Sequence, residues 1–75
     1  MSTYHLDITQ DRCPMTFVKT KLELEKLQPG DYLEVLLTEG EPLNNVPRTA
    51  AEQGFTVVEK AHVRDNVHRL VIRKP

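Results

Sequence analysis

The one cysteine of the chain, Cys13, lies in the stretch TQDRCPMTF and is followed directly by Pro14. Proline is favoured at the first position of a helix, because its missing N–H would have no partner there. Cys13 is therefore predicted to be the N-cap of a helix or its neighbour. The unpaired N–H groups and the dipole of a helix start favour a thiolate, and Arg12 adds a nearby positive charge. The stretch predicts a nucleophilic thiol with a pKa below the free value of about 8.5.

Composition alone leaves other uses of this thiol open. A lone cysteine also serves as a small, buried and unreactive hydrophobic residue. The chain has no second cysteine for an internal disulfide, so a thiol redox cycle would need a partner cysteine or glutathione. His5, His62 and His68 lie on separate predicted strands without ligand spacing, and one cysteine alone cannot hold a structural zinc ion. No metal site and no cofactor are predicted.

The elements that must position Cys13 alternate between strand and helix patterns. No linker, repeat or low-complexity segment interrupts them, so a single domain over 1–75 is expected. Short connections and right-handed crossovers place both helices on one face of a mixed four-stranded sheet. The predicted fold class is an α/β (α+β) two-layer sandwich of order βαβαββ, with the other sheet face open. The predicted elements are a strand at 4–8, a helix at 14–27, a strand at 31–38, a helix at 42–54, and strands at 55–63 and 67–74.

Alternation and helix-boundary residues define these elements. One buried face is predicted for the strand at 31–38, formed by Leu33, Val35 and Leu37. The segment 42–54 suits a helix capped near Asn45, with Pro47 in its first turn and Gly54 at its end, and the sequence leaves open whether a turn of helix precedes Pro47.

Charge and hydropathy exclude several classes of function. Lysine plus arginine number 10 against 11 for aspartate plus glutamate, so no overall field draws the chain to nucleic acid or acidic membranes. No apolar run approaches the roughly 20 residues of a membrane span, and the opening MSTYHLDIT lacks the order of a signal peptide. A cytoplasmic location is expected. A chain this short supports only a modest core, so any chemistry is expected at its surface.

The predicted first helix carries two apolar rows. At about 100° per residue, the row facing the sheet consists of Phe17, Thr20, Leu24 and Leu27. A second row is rotated away from the first and starts beside the cysteine. This second row consists of Met15, Val18 and Leu22. An exposed apolar row next to a reactive thiol would suit docking of a protein partner, and the alternative is a wide core that buries the row.

Positive charge gathers near the last predicted strand, where alternation places Arg69 and Arg73 on the open sheet face. An acidic protein or transfer RNA could dock there, and the alternative is that these arginines keep an exposed sheet soluble. Phenylalanine and tyrosine number two each, which is too few for a base-stacking platform. Direct nucleic-acid binding is not expected.

Several short motifs occur in a characteristic order along the chain. They are Leu6-Asp7, Arg12-Cys13-Pro14, Leu27-Gln28-Pro29-Gly30, Val46-Pro47, Gly54 and Ile72-Arg73. Together they resemble the TusA-like family, also called SirA-like, of small sulfur carrier proteins, over nearly the whole chain. The resemblance implies the βαβαββ sandwich, and it implies that Cys13 accepts sulfane sulfur as a persulfide and hands it to a protein partner. The implied donors are cysteine desulfurases or rhodanese-type sulfurtransferases. The implied acceptors are relay proteins of transfer RNA thiolation, of molybdenum cofactor assembly or of sulfur oxidation.

One residue departs from the family motif Cys-Pro-X-Pro, because Thr16 stands where the second proline is expected. A threonine in the first turn keeps the helix geometry and restores an N–H that could bond the Cys13 sulfur. Arg12, Pro14 and Thr16 are therefore the predicted helix-start residues that favour the thiolate. A non-catalytic interaction or regulatory module of the same fold is the alternative function, and it would tolerate replacement of Cys13.

Overall fold

Six elements follow one another in the order βαβαββ, which confirms the predicted fold class. They are β1 (Thr3–Asp7), α1 (Met15–Glu25), β2 (Tyr32–Thr38), α2 (Glu41–Glu52), β3 (Thr56–Arg64) and β4 (Val67–Arg73). The computed structural model describes residues 2–12 and 15–75. Its sheet has four strands in the order β1-β2-β4-β3. β1 runs parallel to β2, and the other neighbouring strands are antiparallel, so the sheet is mixed as predicted.

The core lies against the two central strands, β2 and β4. The face predicted for β2 is confirmed, because its three alternating side chains are 0% exposed: Leu33, Val35 and Leu37. Across the β2–β4 pair, Ile72 lies opposite Leu33 and Leu70 lies opposite Val35, and both are also 0% exposed. Such buried cross-strand pairs fix the register, since a slip by one residue would turn every apolar side chain to solvent.

Both helices pack against this core and against each other. The predicted sheet-facing row is confirmed, with Phe17 half-buried against the core and the other members buried: Thr20, Leu24 and Leu27. The helix ends at Glu25, two residues before the predicted end, so Leu27 packs on the core from the turn that follows α1. α2 contributes Val46 and Ala50, each 1% exposed. Among the described residues, neither helix has the length and apolar content needed to cross a membrane.

The start of α2 differs from the prediction of a cap near Asn45. The helix begins at Glu41, directly after Gly40 in the left-handed region (φ 103°), and a proline already occupies its first turn. Pro47 therefore lies inside the helix, where its missing N–H removes one backbone hydrogen bond. Val46, buried next to it, holds this stretch on the core, so tertiary packing outweighs the local signal to start the helix later.

A buried carboxylate joins the start of β1 to the turn between α1 and β2. Asp31 is 5% exposed and accepts hydrogen bonds from the backbone N–H of Gln28 at 2.9 Å and of Ser2 at 3.0 Å. These bonds, that of Gln28 first, hold the pKa of Asp31 below its ordinary value of 3.8. The C-terminal segment joins the same point, because the Lys74 N–H donates to the Asp31 carbonyl at 3.0 Å.

Replacing Asp31 with asparagine is expected to lower the urea midpoint at neutral pH and to flatten its fall in acid. A carboxyl whose pKa is depressed by folding stabilises fully above its unfolded pKa and loses that contribution as pH falls through the folded value. Urea midpoints between about pH 6 and pH 2 measure the effect. Asp65→Asn, in an exposed turn, is the matched control and should keep the wild-type slope. Equal slopes for Asp31→Asn and wild type would contradict the role given to this carboxylate.

Candidate functional site

The residues at the centre of the sequence prediction, Cys13 and Pro14, lie outside the described residues. The helix cap and the lowered cysteine pKa therefore stay predictions. Their described neighbours are Arg12, which is exposed, and Met15, the first residue of α1. A backbone hydrogen bond of 2.7 Å from the Met15 N–H to the Arg12 carbonyl joins the loop to the helix. The first turn of α1 holds no acidic residue, so no carboxylate within that turn offsets the positive end of its dipole.

The loop that leads to this point is tied down at its beginning by Asp7. The Asp7 carboxylate accepts hydrogen bonds from the hydroxyl of Thr9 at 2.6 Å and from its backbone N–H at 2.9 Å. The hydroxyl bond is the main cause that holds the pKa of Asp7 below its ordinary value. Ile8, between them, is 1% exposed and donates its N–H to the Leu36 carbonyl at 2.9 Å. The chain thus leaves β1 in a fixed direction, an arrangement that the Asp-X-Thr spacing could have indicated.

The far end of the same loop is tied to the helix. The Lys19 ammonium lies 2.8 Å from an Asp11 carboxylate oxygen, and the Asp11 N–H donates to the Ile8 carbonyl at 3.1 Å. A partly exposed ion pair of this kind contributes up to about 1 kcal/mol. Sequence reasoning missed this pair, since the two residues lie on different elements.

Thr16 is more deeply placed than its position near a helix start suggests. It is 0% exposed, and its carbonyl accepts a hydrogen bond of 2.7 Å from the hydroxyl of Thr20. Thr16 therefore joins the sheet-facing side of α1, one turn before Thr20. The predicted bond from its N–H to the Cys13 sulfur involves an atom outside the described residues and stays a prediction.

Met15, Val18 and Leu22, called here the apolar row, lie on the surface of α1. Their exposed fractions are 46%, 42% and 53% respectively. A core that wrapped around the helix would have buried them, so the structure favours the surface interpretation. The row begins at the first residue of the helix, next in sequence to the cysteine segment.

The open sheet face carries a row of alternating charges rather than a positive patch. His5 Nδ1 lies 3.2 Å from Glu34, whose other carboxylate oxygen lies 3.0 Å from Arg69 Nε. A second nitrogen of Arg69 lies 2.5 Å from Glu59. The Arg69 charge is thus offset by two carboxylates, which matches the solubilising alternative better than docking of an acidic partner. Arg73 is exposed on the same strand.

The structure brings His62 and His68 together, although the sequence predicts no ligand spacing for them. They face each other across the β3–β4 pair, with ring centroids 4.9 Å apart. Glu39, which follows β2, lies 3.0 Å from His68 Nε2 through its carboxylate. A bulge between His62 and Arg64 shifts the β3 register, and sequence spacing alone does not reveal such a shift. His5 lies on β1, at the other edge of the sheet.

Fold and loop together define a class of protein: a small two-layer α/β sandwich whose single cysteine falls between the first strand and the first helix. Residues 4–74 match the family model described as "Sulfurtransferase TusA". The chain belongs to this family, as the resemblance of its motifs predicts.

Curated relatives agree with this family assignment. The chain is 42% identical over 69 residues to "Putative sulfur carrier protein MJ0990" of Methanocaldococcus jannaschii, covering 92% of this chain and 91% of that protein. It is 33% identical over 69 residues to a "Putative sulfur carrier protein" of Archaeoglobus fulgidus, covering 92% and 78%. It is 34% identical over 56 residues to "Putative sulfur carrier protein YedF" of Escherichia coli, covering 75% and 73%.

Proposed function

We propose that the protein is a sulfur carrier that holds sulfane sulfur as a persulfide on Cys13 and delivers it to an acceptor protein. The observation that carries this proposal is the match of residues 4–74 to the TusA family. The names of the relatives, which describe sulfur carriers, support it. Donors would be a cysteine desulfurase or a rhodanese-type sulfurtransferase, and acceptors would serve transfer RNA thiolation, molybdenum cofactor assembly or sulfur oxidation in the cytoplasm. Transfer to a protein requires no direct contact with nucleic acid.

The transfer is a thiol–persulfide exchange at one atom. In loading, the Cys13 thiolate attacks the outer sulfur of the donor persulfide, a new S–S bond forms, and the donor cysteine leaves as a thiolate. In unloading, an acceptor thiolate attacks the same outer sulfur, and Cys13 leaves as a thiolate. No external oxidant, reductant or cofactor is needed, because one S–S bond is broken for each one formed.

The residues beside Cys13 have separate roles in this proposal. Arg12 would favour the thiolate through its positive charge. Pro14 and Thr16 would form the helix start, whose unpaired N–H groups stabilise a nearby negative charge. The thiolate is both the attacking group in loading and the leaving group in unloading, so a lowered cysteine pKa helps both directions. The donor and the acceptor would contact the apolar row of Met15, Val18 and Leu22, since removing exposed apolar side chains from water favours association.

The proposal is tested by following one sulfur atom onto the protein and off again. The wild-type chain is incubated with a cysteine desulfurase plus cysteine, with a rhodanese plus thiosulfate, and with inorganic polysulfide, and intact masses are recorded. We expect a gain of one sulfur mass per chain that a reducing thiol removes. A chain that binds partner proteins yet gains no sulfur from any of the three sources would contradict the proposal and favour the interaction or regulatory module.

A further inference from the structure

Three potential metal ligands meet at one end of the sheet. Glu39, His62 and His68 each offer one ligand atom, and these atoms all lie within 4.8 Å of one another. We propose that they form a binding site for a divalent transition-metal ion of the Zn²⁺ type. None of its ligands belongs to the cysteine segment or to α1, and the proposal does not rest on the proposed sulfur chemistry.

The backbone brings the three ligands together through two separate strand pairings. A regular continuation of the β3–β4 hairpin from Arg64 opposite Val67 would place His62 opposite Arg69. The bulge between His62 and Arg64 instead places His62 opposite His68. Since directly paired residues share a face, the bulge turns the His62 side chain to the face that carries His68. The irregular backbone is what makes the histidine pair possible.

The third ligand is held by the neighbouring strand. β2 lies beside β4, and the Glu39 N–H donates to the Asn66 carbonyl in the hairpin turn at 2.9 Å. This bond fixes the Glu39 backbone next to the turn that joins the two histidine strands. The Glu39 carboxylate already lies 3.0 Å from His68 Nε2.

The distance between Glu39 and His68 fits a pair of metal ligands. Two ligand atoms on a tetrahedral zinc ion lie about 3.3 Å apart, given bonds of about 2.0–2.1 Å, and the Glu39–His68 separation of 3.0 Å is close to this value. The side chain of His68 is only 15% exposed and serves as the fixed member, whereas that of Glu39 is 57% exposed and has room to adjust.

A hydrogen bond to the backbone fixes the tautomer of His62 and leaves one ring nitrogen free to bind a metal ion. His62 Nε2 lies 2.6 Å from the Asp65 carbonyl oxygen, which can only accept, so Nε2 carries the hydrogen. In the neutral ring the lone pair then sits on Nδ1. A ligating histidine that donates its other N–H to a backbone carbonyl is the usual second contact at metal sites.

The chemistry of the three groups selects the class of ion. Two imidazoles and one carboxylate suit Zn²⁺, Co²⁺, Ni²⁺ and Cu²⁺ better than Mg²⁺ or Ca²⁺, which prefer ligand sets made of oxygen. Three protein ligands leave one tetrahedral position for water or for a group from another molecule.

Calorimetry with Zn²⁺ tests the site in a full-length, tag-free chain carrying Cys13→Ser, so that no thiolate competes for the ion. We expect one Zn²⁺ per chain, and a loss of affinity of more than about tenfold for His62→Gln and for Glu39→Gln. His62 and Glu39 are exposed, so these variants should fold normally. His5→Gln is the matched control and should leave the affinity unchanged, since His5 lies on the opposite edge strand.

Cobalt supplies a second readout that does not depend on affinity alone. Co²⁺ bound in the site should give the visible absorption of a tetrahedral ion, and His62→Gln should remove it. The absence of saturable Zn²⁺ binding would overturn the proposal. Equal affinities for the His62→Gln and His5→Gln chains would overturn it as well, because they would indicate binding by scattered surface histidines.

Discussion

Replacing Cys13 with serine is expected to abolish sulfur uptake from every donor. A serine hydroxyl is hardly ionised at neutral pH and forms no persulfide, and the chain has only one cysteine, so no other thiol can take over. Intact-mass spectrometry after incubation with cysteine desulfurase, rhodanese or polysulfide should report unmodified Cys13→Ser protein. Wild type should gain one sulfur mass under the same conditions.

The Arg12→Gln variant tests how much the charge beside the cysteine contributes to sulfur loading when the thiol itself is kept. Arg12 is exposed, so this variant is expected to keep the fold and the cysteine while removing one charge. It should still load from polysulfide, only more slowly at neutral pH if the charge favours the thiolate. A reducible sulfur mass on Cys13→Ser would contradict the assignment of the carrier atom. Wild-type protein that is folded but refuses even polysulfide would mean that Cys13 is buried and inert.

The sheet and its core could be predicted from sequence because each signal there is local and periodic. Leu33, Val35 and Leu37 alternate along β2, and one buried face follows directly from that alternation. The sheet-facing row of α1 follows in the same way from helical spacing. The burial of Thr16 was not predicted, because a threonine in the first turn is typical of a helix boundary. Its burial depends on how α1 lies on the sheet.

The start of α2 and the pairing of the two histidines depended on tertiary structure. Asn45 and Pro47 are together a good local signal for a helix start, yet the packing of Val46 and the earlier Gly40 turn place that start at Glu41. The histidine pair depended on one extra residue in β3. If β3 and β4 paired regularly from the turn, without the bulge, His62 would not lie opposite His68. The local sequence pattern does not predict the bulge.

Residue type and motif predict the candidate site, but they do not predict the contacts of its loop. Cys-Pro before an apolar helical pattern indicates a thiol at a helix start from local chemistry alone. The ion pair between Asp11 and Lys19 joins a loop to a helix. Its formation depends on the direction in which the chain leaves β1, which is set by Asp7 and Thr9.

Placing a charge in the apolar row is expected to slow enzymatic loading while leaving chemical loading unchanged. Leu22→Glu is the cleanest change, because Leu22 is 53% exposed and lies farther along α1 from the cysteine than Met15 does. An unpaired carboxylate in an apolar contact costs more than about 1.4 kcal/mol, which is about tenfold in rate or affinity. The melting temperature should hardly change, since the side chain is not part of the core.

The matched control is Val58→Glu on β3. Val58 is 47% exposed and apolar, so the substitution makes the same change in net charge at a similar exposure, but on an edge strand rather than on α1. Loading rates from cysteine desulfurase plus cysteine and from polysulfide are measured for wild type and both variants. The docking role predicts that only Leu22→Glu falls by about tenfold, and only with the enzyme.

The comparison of the two loading routes decides what the row does. A small polysulfide needs no protein contact, so its reaction reports only on the thiol and its surroundings, whereas the desulfurase must seat its own surface against the carrier. If Leu22→Glu slows both routes equally, the row acts on the thiol and the docking role is wrong. If Val58→Glu slows the enzyme as much as Leu22→Glu does, overall charge rather than this surface governs the encounter, and the apolar row loses its assigned role. A selective loss with Leu22→Glu, reproduced more weakly by Leu22→Ala, would locate the donor contact on the exposed face of α1, because shortening the side chain removes apolar contact area without adding a charge.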